Sequence, residues 1–240
     1  MDQNFMVDSA VIRKILDAAD VQKDETVLEI GPGRGALTRE LAKRARLVIA
    51  VELDPELASG LDIPRTRIIR GNALDEIPKL GFDKVVSNIP YSISEPLVEA
   101  LSAKEFAAAV LTVPKGFAHI VCAPQGSQKY SRLSFISQAF YEPEILFDIP
   151  KEAFDPKPKV NSAVLRLVPR KSLLRTVLLQ RKKKLRNALM EALCEWEKLT
   201  KSQSRKAIKS FELNNLLDKK VREMSLAEMQ KMVIKMRGHT

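Results

Sequence analysis

The sequence is poor in the residues from which metal and redox sites are made. Its 240 residues include two cysteines, Cys122 and Cys194, and two histidines, His119 and His239. None of the four stands in the close pairs of a structural zinc site, so all four are read as incidental and no metal is expected. No apolar run approaches the ~20 residues of a membrane span. The opening MDQNFMVDS lacks the basic and apolar regions of a secretory signal. A cytoplasmic protein with no membrane partner is the expectation. There is no internal repeat and no low-complexity stretch. What remains is a chain with 45% hydrophobic residues, long enough for one good core and a smaller second unit.

Charge is unevenly spread. Residues 170–240 hold 19 Lys+Arg against 7 Asp+Glu, whereas residues 1–169 hold 21 against 23. All of the excess in the net +10 therefore falls in the last 71 residues. Such asymmetry suggests a polyanion-binding appendage beside a near-neutral domain. An anionic membrane surface competes as a partner, but no strongly apolar anchor accompanies the charge.

The first two-thirds alternates β-branched runs with helical patterns. Strands are expected at 26–30, 47–53, 67–70, 84–88, 107–113, 144–149 and 163–168, and helices near 8–19, 36–45 and 94–103. Unalternating apolar strands between helices argue a mostly parallel α/β sheet covered on both faces. No helix is evident between the last two strands, which predicts an antiparallel edge. After Pro169 the pattern is helical only. Leu178, Leu185, Leu189, Leu193 and Trp196 keep to one helical face, and Ser225 with Glu228 forms a capping box that opens a last helix. The boundary falls near 169–171, giving domains at 1–169 and 170–240.

EIGPGRGALT (29–38) follows the first of these strands and opens a helix. Gly31, Gly33 and Gly35 permit a tight turn and a close ligand approach to the backbone. The helix N-terminus beyond them presents unpaired N–H groups. Glu52 closes the next strand, where a carboxylate can accept both ribose hydroxyls. Gly31-x-Gly33-x-x-Ala36 also fits a dinucleotide fingerprint, so an NAD enzyme stays open at this point. Asn72 ends the third strand beside the same cleft, where it can meet an adenine edge or serve a turn alone.

SNIPYSIS (87–94) separates these readings. The fourth strand delivers Asn88 to the carboxyl edge of the sheet, where open α/β sheets bind ligands. An adenine exocyclic amine is a poor nucleophile because its lone pair is delocalised into the ring. Two acceptors aimed at its N–H bonds favour a tetrahedral nitrogen with an available lone pair. The Asn88 side-chain oxygen and the Ile89 carbonyl can be those acceptors, Pro90 stiffens their turn, and Tyr91 can stack on the base. A dehydrogenase has no use for this arrangement. A methyltransferase acting on an amine does, with S-adenosylmethionine as its cofactor.

Taken in order, DQNFMVD, EIGPGRGALT, Glu52, NIPYSIS, QKYSRLSF and FDPKPKVNSAVLRLV resemble the rRNA adenine N6-dimethyltransferases over about residues 2–190. The resemblance implies a seven-stranded, Rossmann-like S-adenosylmethionine-dependent methyltransferase sheet followed by a small all-helical domain. It implies transfer of two methyls to one adenine amine. It also implies that Asn4 and Met6 contact the cofactor, Gly31 lies beneath its methionine portion, Glu52 binds its ribose and Asn72 faces its adenine. Asn88 then lies between cofactor and target amine, with Tyr91 and Phe154 as the rings holding a flipped adenine. Phe154 by itself reads equally as a core residue.

Two branches of the family share NIPY and PKPKVNS. KYSRLSF and QRKKKLRNAL (180–189) are similar to the KsgA branch, which modifies two adjacent adenines near the 3′ end of small-subunit rRNA. The Erm resistance enzymes act instead on large-subunit rRNA. A monomer that binds small-subunit rRNA, in the subunit or its precursor, is the resulting expectation. A ribosome-assembly factor whose methylation is secondary would present the same surfaces. The helix expected to carry Arg181, Lys182, Lys183, Lys184 and Arg186 is either a solvated face or an RNA phosphate contact. Three departures from the family stand out. Asn72 replaces an Asp, Pro114-Lys115-Gly116 replaces Gln-Lys-Glu, and the usual basic lead-in before the first motif is missing.

Overall fold

The computed structural model describes residues 3–236, so His239 lies outside the described part. The chain divides into two units, Met1–Pro169 and Arg170–Thr240.

The first unit opens with a two-residue strand β1 (Phe5–Met6) and helix α1 (Ser9–Ala19). Asp8 caps α1, its Oδ1 accepting from the amides of Ala10 at 2.8 Å and Val11 at 3.2 Å. There follow β2 (Thr26–Ile30), α2 (Ala36–Arg44), β3 (Leu47–Glu52), α3 (Pro55–Ser59), β4 (Thr66–Arg70) and α4 (Ala73–Glu76). Next come β5 (Lys84–Asn88), α5 (Ser94–Leu101), β6 (Ala108–Pro114), α6 (Lys115–Val121) and α7 (Arg132–Phe140). The unit closes with β7 (Tyr141–Ile149), β8 (Phe154–Asp155) and β9 (Ser162–Pro169).

Seven of these strands form one sheet in the order β4-β3-β2-β5-β6-β9-β7. The first five run parallel, and β9 enters antiparallel between β6 and β7. Every residue of β2 is buried, as a central strand covered on both faces requires. Ile12, Ile15 and Leu16 of α1 pack with Leu37 and Leu41 of α2 in a core that includes Val27, Val48 and Val86 of the sheet. All seven expected strands are present, and the antiparallel edge is where two strands succeed each other without a helix of their own. The expected strand ends shift by a few residues, most at β7, which begins at Tyr141 rather than 144. Helices α6 and α7 and the small β1–β8 ladder are additions to the elements read from sequence.

The second unit contains α8 (Leu173–Leu179), α9 (Leu185–Trp196), α10 (Lys201–Ser210) and α11 (Leu226–Lys235). The predicted Ser225–Glu228 capping box opens α11. The single apolar helix face expected from Leu178 to Trp196 is corrected. Leu178 is on α8 and the other four are on α9, because the chain leaves helical geometry at Gln180. Leu178, Leu185, Leu189 and Leu193 are buried, while Trp196 is 40% exposed and donates its indole N–H to Thr176 Oγ1 at 2.7 Å.

The basic run is corrected with it. Arg181 to Lys184 form a non-helical connection, and only Arg186 is on a helix. Backbone hydrogen bonds to a second segment replace the helical ones. Val221 donates to the Lys183 carbonyl, Arg222 to Arg181, and Leu185 to Lys219. An extended path also separates side chains that a helix would bring together as like charges. Among the described residues, no helix is long and apolar enough to cross a membrane.

Candidate active site

Parallel register brings the carboxyl ends of β2, β3, β4 and β5 to one edge of the first unit. A cleft of about 450 Å³ opens there, lined by residues from these strand ends and from the N-terminal segment. Asn4, Met6, Gly31, Glu52, Asn72, Asn88, Ile89 and Tyr91 all line it. Phe154 does not. It is 2% exposed, paired across the β1–β8 ladder with Met6 and packed in the core that includes Ile12, Ile15 and Leu16. The ring expected to hold a target base is thus a core ring in this structure, drawn inward by those aliphatic neighbours.

The glycine loop needs its glycines. Gly31 and Gly33 have φ of 65° and 55°, the left-handed region that a side chain disfavours. A Cβ on Gly33 would lie 2.7 Å from a ring carbon of Phe5, and one on Gly31 would lie 3.3 Å from Pro90 Cδ. The loop is therefore packed between the N-terminal segment and the Asn-Ile-Pro-Tyr turn. Arg34 lies over the Phe5 ring, 4.5 Å from its centroid.

Glu52 anchors this loop to β3. Its Oε2 accepts from the Gly33 amide and its Oε1 from the Asp54 amide, each at 3.0 Å. Each carboxylate oxygen keeps acceptor capacity for a hydroxyl pair. Asn72 caps the short α4, its Oδ1 accepting from the Leu74 amide at 3.1 Å. Asn72 thus serves the turn and also lines the cleft.

Asn88 is held by its donor. Its Nδ2 donates to the Asn4 carbonyl at 2.9 Å, which turns the amide so that Oδ1 remains as the other end. That Oδ1 is buried with no hydrogen-bond partner among the described residues. Tyr91 shares a hydrogen bond between its hydroxyl and Ser162 Oγ at the start of β9. Gln3, at the other end of the N-terminal segment, donates to Asp54 Oδ2 at 3.2 Å.

Glu29, Phe5 and Leu53 are among the lining residues that the sequence does not single out as site residues. Leu53 is 64% exposed, an apolar side chain left in the cleft beside Glu52. Glu29 is 2% exposed, and its Oε2 is buried without a partner among the described residues. Burial pushes its carboxyl up to about 8, and the nearby Glu52 charge adds to the rise. Thr38 opposes the rise, although its hydroxyl is not placed for a hydrogen bond of good geometry. Both Glu29 and Leu53 carried a signal, a carboxylate inside a largely apolar strand and an apolar residue just past the acid Glu52.

The family model described as ribosomal RNA adenine dimethylase matches residues 1–232. The chain belongs to the ribosomal RNA adenine dimethylase family. Its members are S-adenosylmethionine-dependent methyltransferases, and this chain is such an enzyme. A probable ribosomal RNA small subunit methyltransferase A of Methanosarcina acetivorans is 41% identical over 207 residues, 79% of this chain and 76% of the relative. The fold is that of a dimethyladenosine transferase from Plasmodium falciparum, with a TM-score of 0.69, 24% identity and 98% coverage of each chain. It is also that of the 23S rRNA methyltransferase ErmE, at TM-score 0.62 and 24% identity, covering 97% of this chain and 99% of that one.

The cleft fits the family's cofactor on this structure's own terms. It combines a glycine loop with no room for side chains, the open N-terminus of α2, a doubly anchored carboxylate and two buried acceptors without partners. Glu29 also yields a pH prediction. Below about 4.5 both folded and unfolded chains hold its proton, so its protonated burial costs nothing extra. As pH rises towards about 8, the unfolded chain gives the proton up and the folded one retains it. Stability should therefore fall over that window and level above it. Glu29→Gln should remove this decline, so thermal melts at pH 5 and pH 8 should diverge less in the variant than in the wild type.

Proposed function

We propose that this enzyme dimethylates the N6 amines of two adjacent adenines near the 3′ end of small-subunit rRNA, within the subunit or its precursor. The observation that carries the chemistry is the Asn88 amide, fixed through Nδ2 with a buried, unpartnered Oδ1. When bound, S-adenosylmethionine supplies an electrophilic methyl group. Asn88 Oδ1 accepts one N–H of the target amine and the Ile89 carbonyl accepts the other. This polarisation localises the nitrogen lone pair for attack, in a site whose acceptors need no reorganisation. Pro90 keeps the two acceptors in one rigid turn, and Tyr91 supports the base with its hydroxyl held by Ser162. Gly31 and Glu52, with Asn4, Met6 and Asn72, hold the cofactor.

The choice of the small subunit is supported by the 34–42% identity to curated relatives called probable small-subunit methyltransferases, against 24% to ErmE. The second unit supplies phosphate contacts without an evident base-reading motif, so it positions the enzyme by RNA shape. Adenine identity is then tested in the cleft, on a base taken out of its stack. The deciding experiment compares unmodified small subunits, large subunits and free large-subunit RNA with labelled S-adenosylmethionine. Dimethyladenine should form at two neighbouring positions of the small-subunit RNA. Preferential labelling of large-subunit RNA overturns the substrate while leaving the chemistry at Asn88 in place.

Asn88→Ala should lower methyl transfer by at least ~10²-fold, the scale of one lost pre-organised polar group. Cofactor affinity, measured by calorimetry, should fall much less. Near-normal turnover in the variant would remove Asn88 from the reaction.

Lys183 and Lys184 are in exposed ion pairs with Glu191 and Asp218. Pairs this exposed are worth little and exchange readily for phosphates. Replacing Lys182, Lys183 and Lys184 with Gln should flatten the salt dependence of RNA binding by about 2–3 units of slope. An unchanged slope would assign the run to solvent.

A further inference from the structure

We propose that cofactor binding in this cleft is coupled to loss of a proton from Glu29, which is neutral while the cleft is empty and ionised once a cationic methionine portion lies in it. The inference rests on the cofactor assignment and goes beyond it by giving that site a protonation state. Three observations meet at Glu29. It lines the cleft, it is almost wholly shielded from water, and one carboxyl oxygen has no partner among the described residues. A buried carboxylate with an idle oxygen is costly, whereas the neutral acid is tolerated.

The surroundings keep it neutral. Burial is the main cause; Thr38 on α2 opposes it only in part, and Glu52 on the adjacent strand β3 adds a smaller push by repelling a second negative charge. Arg34 and Arg39 line the same cleft, but Arg34 is placed over Phe5 and Arg39 donates to the Arg34 carbonyl at 2.8 Å. On β5 the cleft residue is the uncharged Asn88, and on the N-terminal segment the residues are uncharged from Gln3 to Val7. Asp54 lines the cleft beyond β3 and adds no positive charge.

The methionine portion of the cofactor carries an ammonium group. Placed in the cleft, it favours the carboxylate by charge and offers N–H donors to an acceptor that has none. The O–H bond of the Glu29 acid then breaks, the proton passes to solvent, and the carboxylate stays beside the ammonium. Because binding releases a proton, affinity must rise with pH across the range in which the empty site is protonated.

The test uses S-adenosylhomocysteine, which keeps the ammonium but has no transferable methyl, titrated into the full chain near pH 7. Calorimetry in two buffers of different ionisation enthalpy counts the protons released. The wild type should release close to one proton and Glu29→Gln close to none. From pH 6 to 8 the wild-type affinity should tighten by up to about tenfold per unit, while the variant's stays flat. Equal proton counts in the two proteins overturn the proposal, as does no release from the wild type. The wild type alone provides a second reading that needs no variant. Its infrared difference spectrum on ligand addition should lose a protonated-carboxyl band, and no loss overturns the coupling. Failure of the wild type to bind S-adenosylhomocysteine at all strikes the cofactor assignment itself.

Discussion

Parallel pairing of β2, β3, β4 and β5 is the constraint on which the site depends. Parallel strands end on the same side, so each delivers its last residue to one edge whatever lies between them in sequence. Glu29 and the glycine loop, Glu52, Asn72 and Asn88 are gathered from strand ends up to 59 positions apart by that rule alone. Backbone hydrogen bonds carry the register past the strands themselves. Gly31 donates to the Val51 carbonyl and Gly71 to the Glu52 carbonyl, each at 2.8 Å. A one-residue slip in any pair would turn the end residue to the other face.

On that edge the N-terminal segment acts as a wall. Gln3 reaches Asp54, the Asn4 carbonyl takes the Asn88 donor, and Phe5 fills the space that Gly33 leaves open. The segment thereby decides which end of the Asn88 amide is spent on structure and which is left without a partner. Leaving a buried acceptor unpaired costs about 1–3 kcal/mol. That cost is carried by the free protein and relieved when a donor arrives, which is how binding can favour one chemistry over another.

The centre of the sheet was legible because β2, β3, β5 and β6 are buried on both faces and read as unbroken apolar, largely β-branched runs. The cleft-lining residues at strand ends were legible because glycine, asparagine and proline there have few other uses. Helices α6 and α7 were not, since their short apolar stretches (KGFAHIV and RLSFISQAF) are as consistent with strand as with helix. The join between α8 and α9 was hidden for a different reason. A spacing of seven from Leu178 to Leu185 keeps helical phase across a break, and only long-range pairing of residues 181–185 with 219–222 reveals it. Phe154 is buried away from the cleft lining, and sequence gives no direction for a ring on a two-residue strand. Glu29 went unread because a carboxylate in front of a glycine loop looks like part of the loop's pattern, and its burial is a property of packing.

The neutrality of the two proposed acceptors has a consequence for a reaction that repeats on one nitrogen. A primary amine offers two N–H bonds, which Asn88 Oδ1 and the Ile89 carbonyl can accept together. After one methyl is added and one proton lost, a single N–H remains, and one acceptor is left over. A carboxylate in that position would carry a buried, unpaired charge at this stage, a far larger cost than an unpaired amide oxygen. An amide and a backbone carbonyl hold no charge, so the half-methylated base can stay in place without a strongly disfavoured partner beside it. The same reasoning separates the charges of the chain. In the empty cleft the acids are either fixed by backbone amides, as Glu52 is, or pushed toward the protonated form by burial, as Glu29 is. The positive excess lies wholly in residues 170–240, outside the residues that line the cleft. Under the proposed function, attraction to RNA and selection of an adenine amine thus fall to different residues.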